Sequence, residues 1–125
     1  MVNPKIFKNI IKSKISQEYK LEFLGENFDK IVKKISETKA ERIYNWINRT
    51  IEKKIQPILI GSKKKYKDWE IYKLLTFRYP FKVDNVDYMV LFIKVKNSFY
   101  IEFHLGDHKY YDKIRKDLNL TKKNY

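Results

Sequence analysis

Hydrophobic positions along this chain change their period several times, and each change marks an expected element. From residue 4 to 16, Ile6, Phe7, Ile10, Ile11 and Ile15 recur at helical spacing with lysines between them. A basic amphipathic segment of this kind can meet a membrane, RNA or a partner protein. The pattern favours a short helix lying on the core. Tyr19-Lys20-Leu21-Glu22-Phe23 then alternates as a strand does, and Gly25 ends it. Asn27 is placed to cap a short helix carrying Phe28, Ile31, Val32 and Ile35. A second helix follows, with Thr38 and Glu41 spaced as a capping box. Its stripe is Ile43, Trp46, Ile47, Ile51 and Ile55, closed by Pro57 and Gly61.

Beyond a basic stretch, Lys63-Lys64-Lys65-Tyr66-Lys67, the pattern predicts three strands, at about 69–78, 86–95 and 99–105. Asn97-Ser98 marks a tight hairpin turn between the last two. Pro80 and Asp84-Asn85 fall in a longer connection between the first two. In the last strand Phe99, Ile101, Phe103 and Leu105 point one way, and Tyr100, Glu102 and His104 the other. Asp107 is expected to cap a final helix, 108–118, with Ile114 and Leu118 inward. The expected fold is α+β, in the order strand, helix, helix, strand, strand, strand, helix. Its antiparallel sheet carries helices on one face and leaves the polar face open for a ligand. The Trp46 and isoleucine stripe reads as core, not as a cofactor box.

Composition narrows the partner. A chain of 125 residues has room for one domain, here 1–125, with 1–16 as a basic amphipathic N-terminal extension. Its 43% hydrophobic content suffices for a core, and its net charge is +13. Clustered cations attract polyanions; the competing account is a solvated lysine-rich face. Arg42, Arg49, Arg78 and Arg115 are the only arginines. Lysines neutralise phosphates as point charges, so the excess reads as backbone contact more than base readout. Cysteine is absent, which excludes disulfides, thiolate metal sites and cysteine nucleophiles. No apolar run approaches the roughly 20 residues of a membrane span. The opening Met1-Val2-Asn3-Pro4-Lys5 leads into a lysine-broken stretch unlike a signal peptide. A cytoplasmic protein with no membrane partner is expected.

Three stretches carry a family likeness. The first is Tyr19 to Phe23 running into the helical pair at 27–55. The second is Asp87-Tyr88-Met89-Val90-Leu91-Phe92. The third is Leu105-Gly106-Asp107-His108-Lys109-Tyr110-Tyr111-Asp112-Lys113-Ile114. With the element order, they resemble the RelE/ParE superfamily of toxin–antitoxin toxins over roughly residues 17–118. The third is similar to the strand-to-helix junction of HigB-type toxins, where Gly, a small or polar residue, His, two variable residues, Tyr and Asp follow in order. The resemblance implies a RelE-like domain that cleaves mRNA, often on the ribosome, without a metal. It also implies a cognate antitoxin that covers the active surface in a hetero-oligomer. One position departs from the pattern. The family's central strand often carries Arg directly after the Tyr, and here Met89 stands there; Arg78 on the neighbouring strand is the candidate substitute.

Metal-free RNA cleavage needs a base for the ribose 2′-OH, an acid for the leaving 5′-oxygen and cations for the charged transition state. His104 and His108 lie four apart, but a strand end and Gly106-Asp107 separate them, so they are no helical metal pair. No metal or other cofactor is expected. His108, in the first turn of the last helix, can transfer protons near neutral pH or be an exposed histidine near a cap. A helix N-terminus also suits a phosphate. His104, beside Glu102 on the polar sheet face, is the second candidate. Tyr111, matching the family tyrosine, either stacks on a base or assists proton transfer, or else packs on Ile114 and Arg115. Asp112 either orients a histidine or acts as a base, or else pairs with Lys116. Lys63, Lys64, Lys65, Lys67 and Lys109 are expected on the RNA backbone, with Tyr66 for stacking. Two other functions stay open on the same fold. One is a ParE-like toxin that inhibits gyrase without cleaving; the other is a non-catalytic RNA- or ribosome-binding protein, for which Met89 argues.

Overall fold

The computed structural model describes residues 2–63 and 72–122. Within them lie α1 (Pro4–Ser13), β1 (Lys20–Leu24), α2 (Phe28–Lys34), α3 (Glu37–Ile51), β2 (Leu59–Lys63), β3 (Tyr72–Val83), β4 (Val86–Val95), β5 (Tyr100–Asp107), α4 (His108–Asp117) and β6 (Thr121–Lys122). The class is α+β. The strands form one mixed sheet in the order β1-β5-β4-β3-β2-β6. β1 runs parallel to β5, with Leu21 opposite Ile101 and Phe23 opposite Phe103, while the other pairs are antiparallel.

α1 starts because Asn3 accepts from the Lys5 and Ile6 amides and Pro4 stands where no donor is needed. Phe7 and Ile11 are fully buried. Burying one such side chain contributes about 1.5–3 kcal/mol. Phe7 meets Phe28, Tyr44 and Phe103 at ring-centroid distances of 6.4, 5.7 and 6.0 Å. The N-terminal segment is thus part of the core. Ser36, not Thr38, caps α3, accepting from the Lys39 amide. Asn27 precedes α2 in a left-handed conformation without a side-chain cap. α3 ends at Ile51, and Leu59 to Lys63, expected to follow a helix end, instead form β2 along β3.

Pro80, expected in a loop, lies inside β3 opposite Met89. β2 pairs with β3 only between Thr76 and Tyr72. Beyond Thr76 the outer side of β3 is an edge, where proline's missing donor costs nothing. The β3–β4 connection is therefore the two residues Asp84-Asn85, both at positive φ (51° and 64°), as a tight hairpin requires.

The largest correction concerns the layers. α1, α2 and α3 cover one face, over Phe77, Tyr88, Val90, Phe92, Ile101, Phe103 and Leu105. The other face is not open. Leu59, Leu74, Leu91, Ile93, Val95 and Tyr100 form a second cluster there with Tyr111 and Leu118 of α4 and with Leu120. Helices pack on both faces, and the sheet is mixed rather than antiparallel. Apolar residues on β4 decide this: Leu91, Ile93 and Val95 alternate with Val90 and Phe92, so neither face of the strand can stay wet.

Candidate functional site

The site grows from the junction of β5 and α4. Asp107 accepts from the Tyr110 amide at 2.9 Å and starts α4. Gly106 lets the helix's first turn fold back on the strand: a Cβ at 106 would lie 2.5 Å from the Tyr110 ring. Cross-strand registry then sets two flanks. Arg78 on β3 is opposite Leu91, and Leu91 is opposite His104 on β5. Arg78 and His104 therefore share one row and one face, two strand spacings or about 10 Å apart. α4 straddles that row. Tyr110 reaches His104 on one side and Tyr111 reaches Arg78 on the other.

The buried flank is a chain of hydrogen bonds. His104 Nε2 lies 2.8 Å from Glu102 Oε1, and its Nδ1 lies 2.7 Å from the Tyr110 hydroxyl. The Tyr100 hydroxyl lies 2.7 Å from Glu102 Oε2 and 2.8 Å from Glu22 Oε2, so its single proton is shared between the two carboxylates. Glu102 is 3% exposed and His104 4%. A carboxylate accepts only, so Nε2 carries a proton; in the neutral ring Nδ1 then accepts from Tyr110. Burial first, then the charges of Glu102 and Glu26, pushes the Tyr110 hydroxyl up to about 12. Tyr110 therefore holds its proton at neutral pH and donates it to His104.

The exposed flank is looser. His108 Nε2 lies 3.5 Å from Asp112 Oδ2, one helical turn on, with both side chains exposed. Their ring and carboxylate stand beside Tyr111, whose ring centroid is 6.0 Å from that of His108. Arg78 Nη1 donates to the Tyr111 hydroxyl at 3.1 Å, with its guanidinium carbon 5.8 Å from the ring centroid. Tyr111 is 3% exposed and packs with Leu91 and Leu118. Its ring face is thus taken by the core, not offered to a base; its hydroxyl holds Arg78.

The structure brings together Arg78, His108, Tyr111 and Asp112. It places His104 behind α4 rather than on an open face, because the second apolar cluster draws α4 down onto the sheet. Lys109 is exposed. Lys64, Lys65, Tyr66 and Lys67 lie outside the described residues, as does the Lys63 side chain. Asp107 accepts from the Tyr110 amide and sets its own negative charge at the start of α4, which makes that N-terminus poorly suited to a phosphate, and Arg78 is the cation on Tyr111, the ring that His108 also faces. Met89 packs against the second cluster. Tyr110, Tyr100 and Glu22 were not among the sequence candidates. The spacing Tyr100-x-Glu102-x-His104 puts three polar groups on one strand face, and that was the available signal. Among the described residues no group of three or more His, Cys, Asp or Glu side chains could hold a metal ion. Among them, too, no helix is long and apolar enough to cross a membrane. No protein-family model, no curated protein and no solved structure matches the chain.

Proposed function

We propose that this protein is a metal-independent endoribonuclease, the toxin of a RelE/HigB-like toxin–antitoxin pair. Its substrate is mRNA, engaged on the ribosome, and its antitoxin covers the α4 rim. The observation that carries this reading is the exposed His108–Asp112 pair standing with Arg78 around Tyr111. A protonated His108 paired with Asp112 supplies a proton to the leaving 5′-oxygen. Arg78, held by the Tyr111 hydroxyl, stabilises the charged phosphorane-like transition state. The net charge of +13 draws the RNA backbone in. From β1 to α4 the elements run strand, two helices, four strands and helix; apart from the added β2 this is the order expected of such a toxin, which supports the reading.

The test is cleavage of RNA by the purified full chain in EDTA, with end-group analysis. Products ending in 2′,3′-cyclic phosphate or 3′-phosphate, lost about 10²-fold in His108→Ala, support it. Intact RNA with inhibited DNA supercoiling assigns the gyrase-inhibitor reading. Salt-dependent RNA binding without cleavage, with a log–log slope near about −0.7 per phosphate contact, assigns the non-catalytic one.

A further inference from the structure

The buried flank is built more tightly than the exposed one and is not used by the mechanism above. Glu102, His104 and Tyr110 stand as orienter, base and hydroxyl at 2.8 and 2.7 Å. That is the arrangement by which a carboxylate fixes an imidazole so that its far nitrogen can take a proton. Glu102 and His104 are sealed from water, whereas Tyr110 is half-buried and on the first turn of α4. Proton traffic from this pair therefore reaches the surface through the Tyr110 hydroxyl. The Arg78–His104 row runs beneath that turn of α4.

We propose that Tyr110, His104 and Glu102 form a proton relay that serves as the general base at the α4 rim, taking the proton of the attacking ribose 2′-hydroxyl. This rests on the endoribonuclease reading. The 2′-O–H bond breaks, and its proton passes to the Tyr110 oxygen as the Tyr110 proton moves to His104 Nδ1. The freed electron pair forms the new O–P bond. The P–O5′ bond breaks, and the 5′-oxygen takes the proton from His108. His104 ends as an imidazolium beside the Glu102 carboxylate, and solvent restores both histidines. Tyr110 is the catalytic residue of the three, since it alone is half-buried rather than sealed; His104 and Glu102 act through it. Among the described residues, the groups that face this imidazole are Glu102 on β5 and Tyr110 on α4. Leu91 on β4 and Leu24 on β1 flank it in register. Tyr100 and Glu22 stand one hydrogen bond further on, and Glu26 acts on Tyr110.

The experiment is single-turnover RNA cleavage by the full chain in EDTA across about pH 5–8. Wild type should lose rate on the acid side, as a relay that must receive a proton does. Tyr110→Phe keeps the ring over Gly106 and should lower the rate about 10²-fold and abolish the acid-side fall. Glu102→Gln, which still accepts from Nε2, should move that fall to lower pH, because the imidazolium has lost its counter-charge; a merely structural role would leave it in place. A fluorotyrosine at position 110 keeps shape and hydroxyl but makes it more acidic, and should change the rate several-fold even if Tyr110→Phe fails to fold. Wild-type rate and profile in Tyr110→Phe, or an equal loss at every pH with the acid-side fall retained, overturns the relay and leaves the nuclease reading standing. A wild type that cleaves no RNA overturns both.

Discussion

The two flanks of α4 use the same residue types, histidine, carboxylate and tyrosine, in opposite surroundings. On the buried side His104 and Glu102 are held at 2.8 Å with almost no exposure. On the exposed side His108 and Asp112 stand at 3.5 Å with side chains 69% and 60% exposed. The first pair is a fixed part of the fold. Its partners cannot be replaced by water, so each bond lost leaves a buried polar group unmatched. The second pair is exposed and screened by solvent, and its contribution to stability is small. The difference teaches where each can act. An exposed pair meets substrate directly but is poorly oriented, whereas a buried pair is well oriented but needs a relay to the surface. Tyr110 and Tyr111, adjacent on α4, are the two links, one tied to His104 and one to Arg78.

The largest effect on this contrast should come from Glu102→Ala. It strands the His104 Nε2 proton beneath α4 and leaves the Tyr100 hydroxyl to Glu22; a buried donor without its partner costs about 1–3 kcal/mol, and the cavity left by the side chain adds to that. Urea unfolding should register that loss. Asp112→Ala, the matching change on the exposed side, should stay within about 0.5 kcal/mol. Equal losses from the two would erase the distinction between the flanks.

Activity should invert the ranking on the exposed side. His108→Ala and Arg78→Ala should each lower RNA cleavage about 10²-fold, with His108→Ala leaving the unfolding midpoint nearly unchanged. Arg78→Lys should rescue little, because an ammonium lacks the planar fork that meets both Tyr111 and a phosphate. Full rescue by lysine would reduce Arg78 to a point charge.

How much of this was legible in the sequence follows from the range of the interactions. Asp107 as the α4 cap and Asn97-Ser98 as a turn are local, and both are found where the pattern placed them. β2 was hidden because Leu59 to Lys63 is short and its partners are not local: Thr76 to Tyr72 on β3, and Thr121 and Lys122 of β6. Pro80 argued against a strand, and only the early end of β2 makes its position an edge. The closed second face was the costliest miss. Tyr100, Glu102 and His104 suggested a wet surface, while Leu91, Ile93 and Val95 on the next strand required a dry one. Strand order, which decides between them, is not local information. The same closure turned Tyr111 from a stacking platform into core and brought Tyr110, unmarked in sequence, onto His104.

A change at Gly106 should sharpen the contrast at intermediate cost. A methyl group there meets the Tyr110 ring at 2.5 Å, closer than carbon atoms approach. The ring must move, and overpacking of this kind costs about 1–3 kcal/mol. The prediction is selective: Gly106→Ala should break the Tyr110 bond to His104 while leaving Arg78 on Tyr111. Nitrogen NMR of the His104 ring should report loss of the bond at Nδ1, with His108 signals unmoved. Coordinated changes at both histidines would mean that α4 shifts as a body and that the flanks are not separable.

The smallest effect is an alkaline one, and its sign follows from Tyr110. Its hydroxyl is pushed up to about 12 in the folded chain, chiefly by burial, with Glu102 and Glu26 adding to it, against about 10 when unfolded. Below pH 10 both states hold the proton, and the favourable contribution of the protonated group is fully present. Between about pH 10 and 12 the unfolded chain releases the proton and the folded chain does not, so stability falls as pH rises. Lysines titrate in the same window, so the informative quantity is the difference between wild type and Tyr110→Phe. Denaturant unfolding of the two should show a steeper loss in the wild type over that range, a slope set by the Tyr110 hydroxyl. If Tyr110→Phe keeps that slope, the hydroxyl is not held in its protonated form by the buried flank, and the hydrogen bond to His104 is weaker than its 2.7 Å length implies.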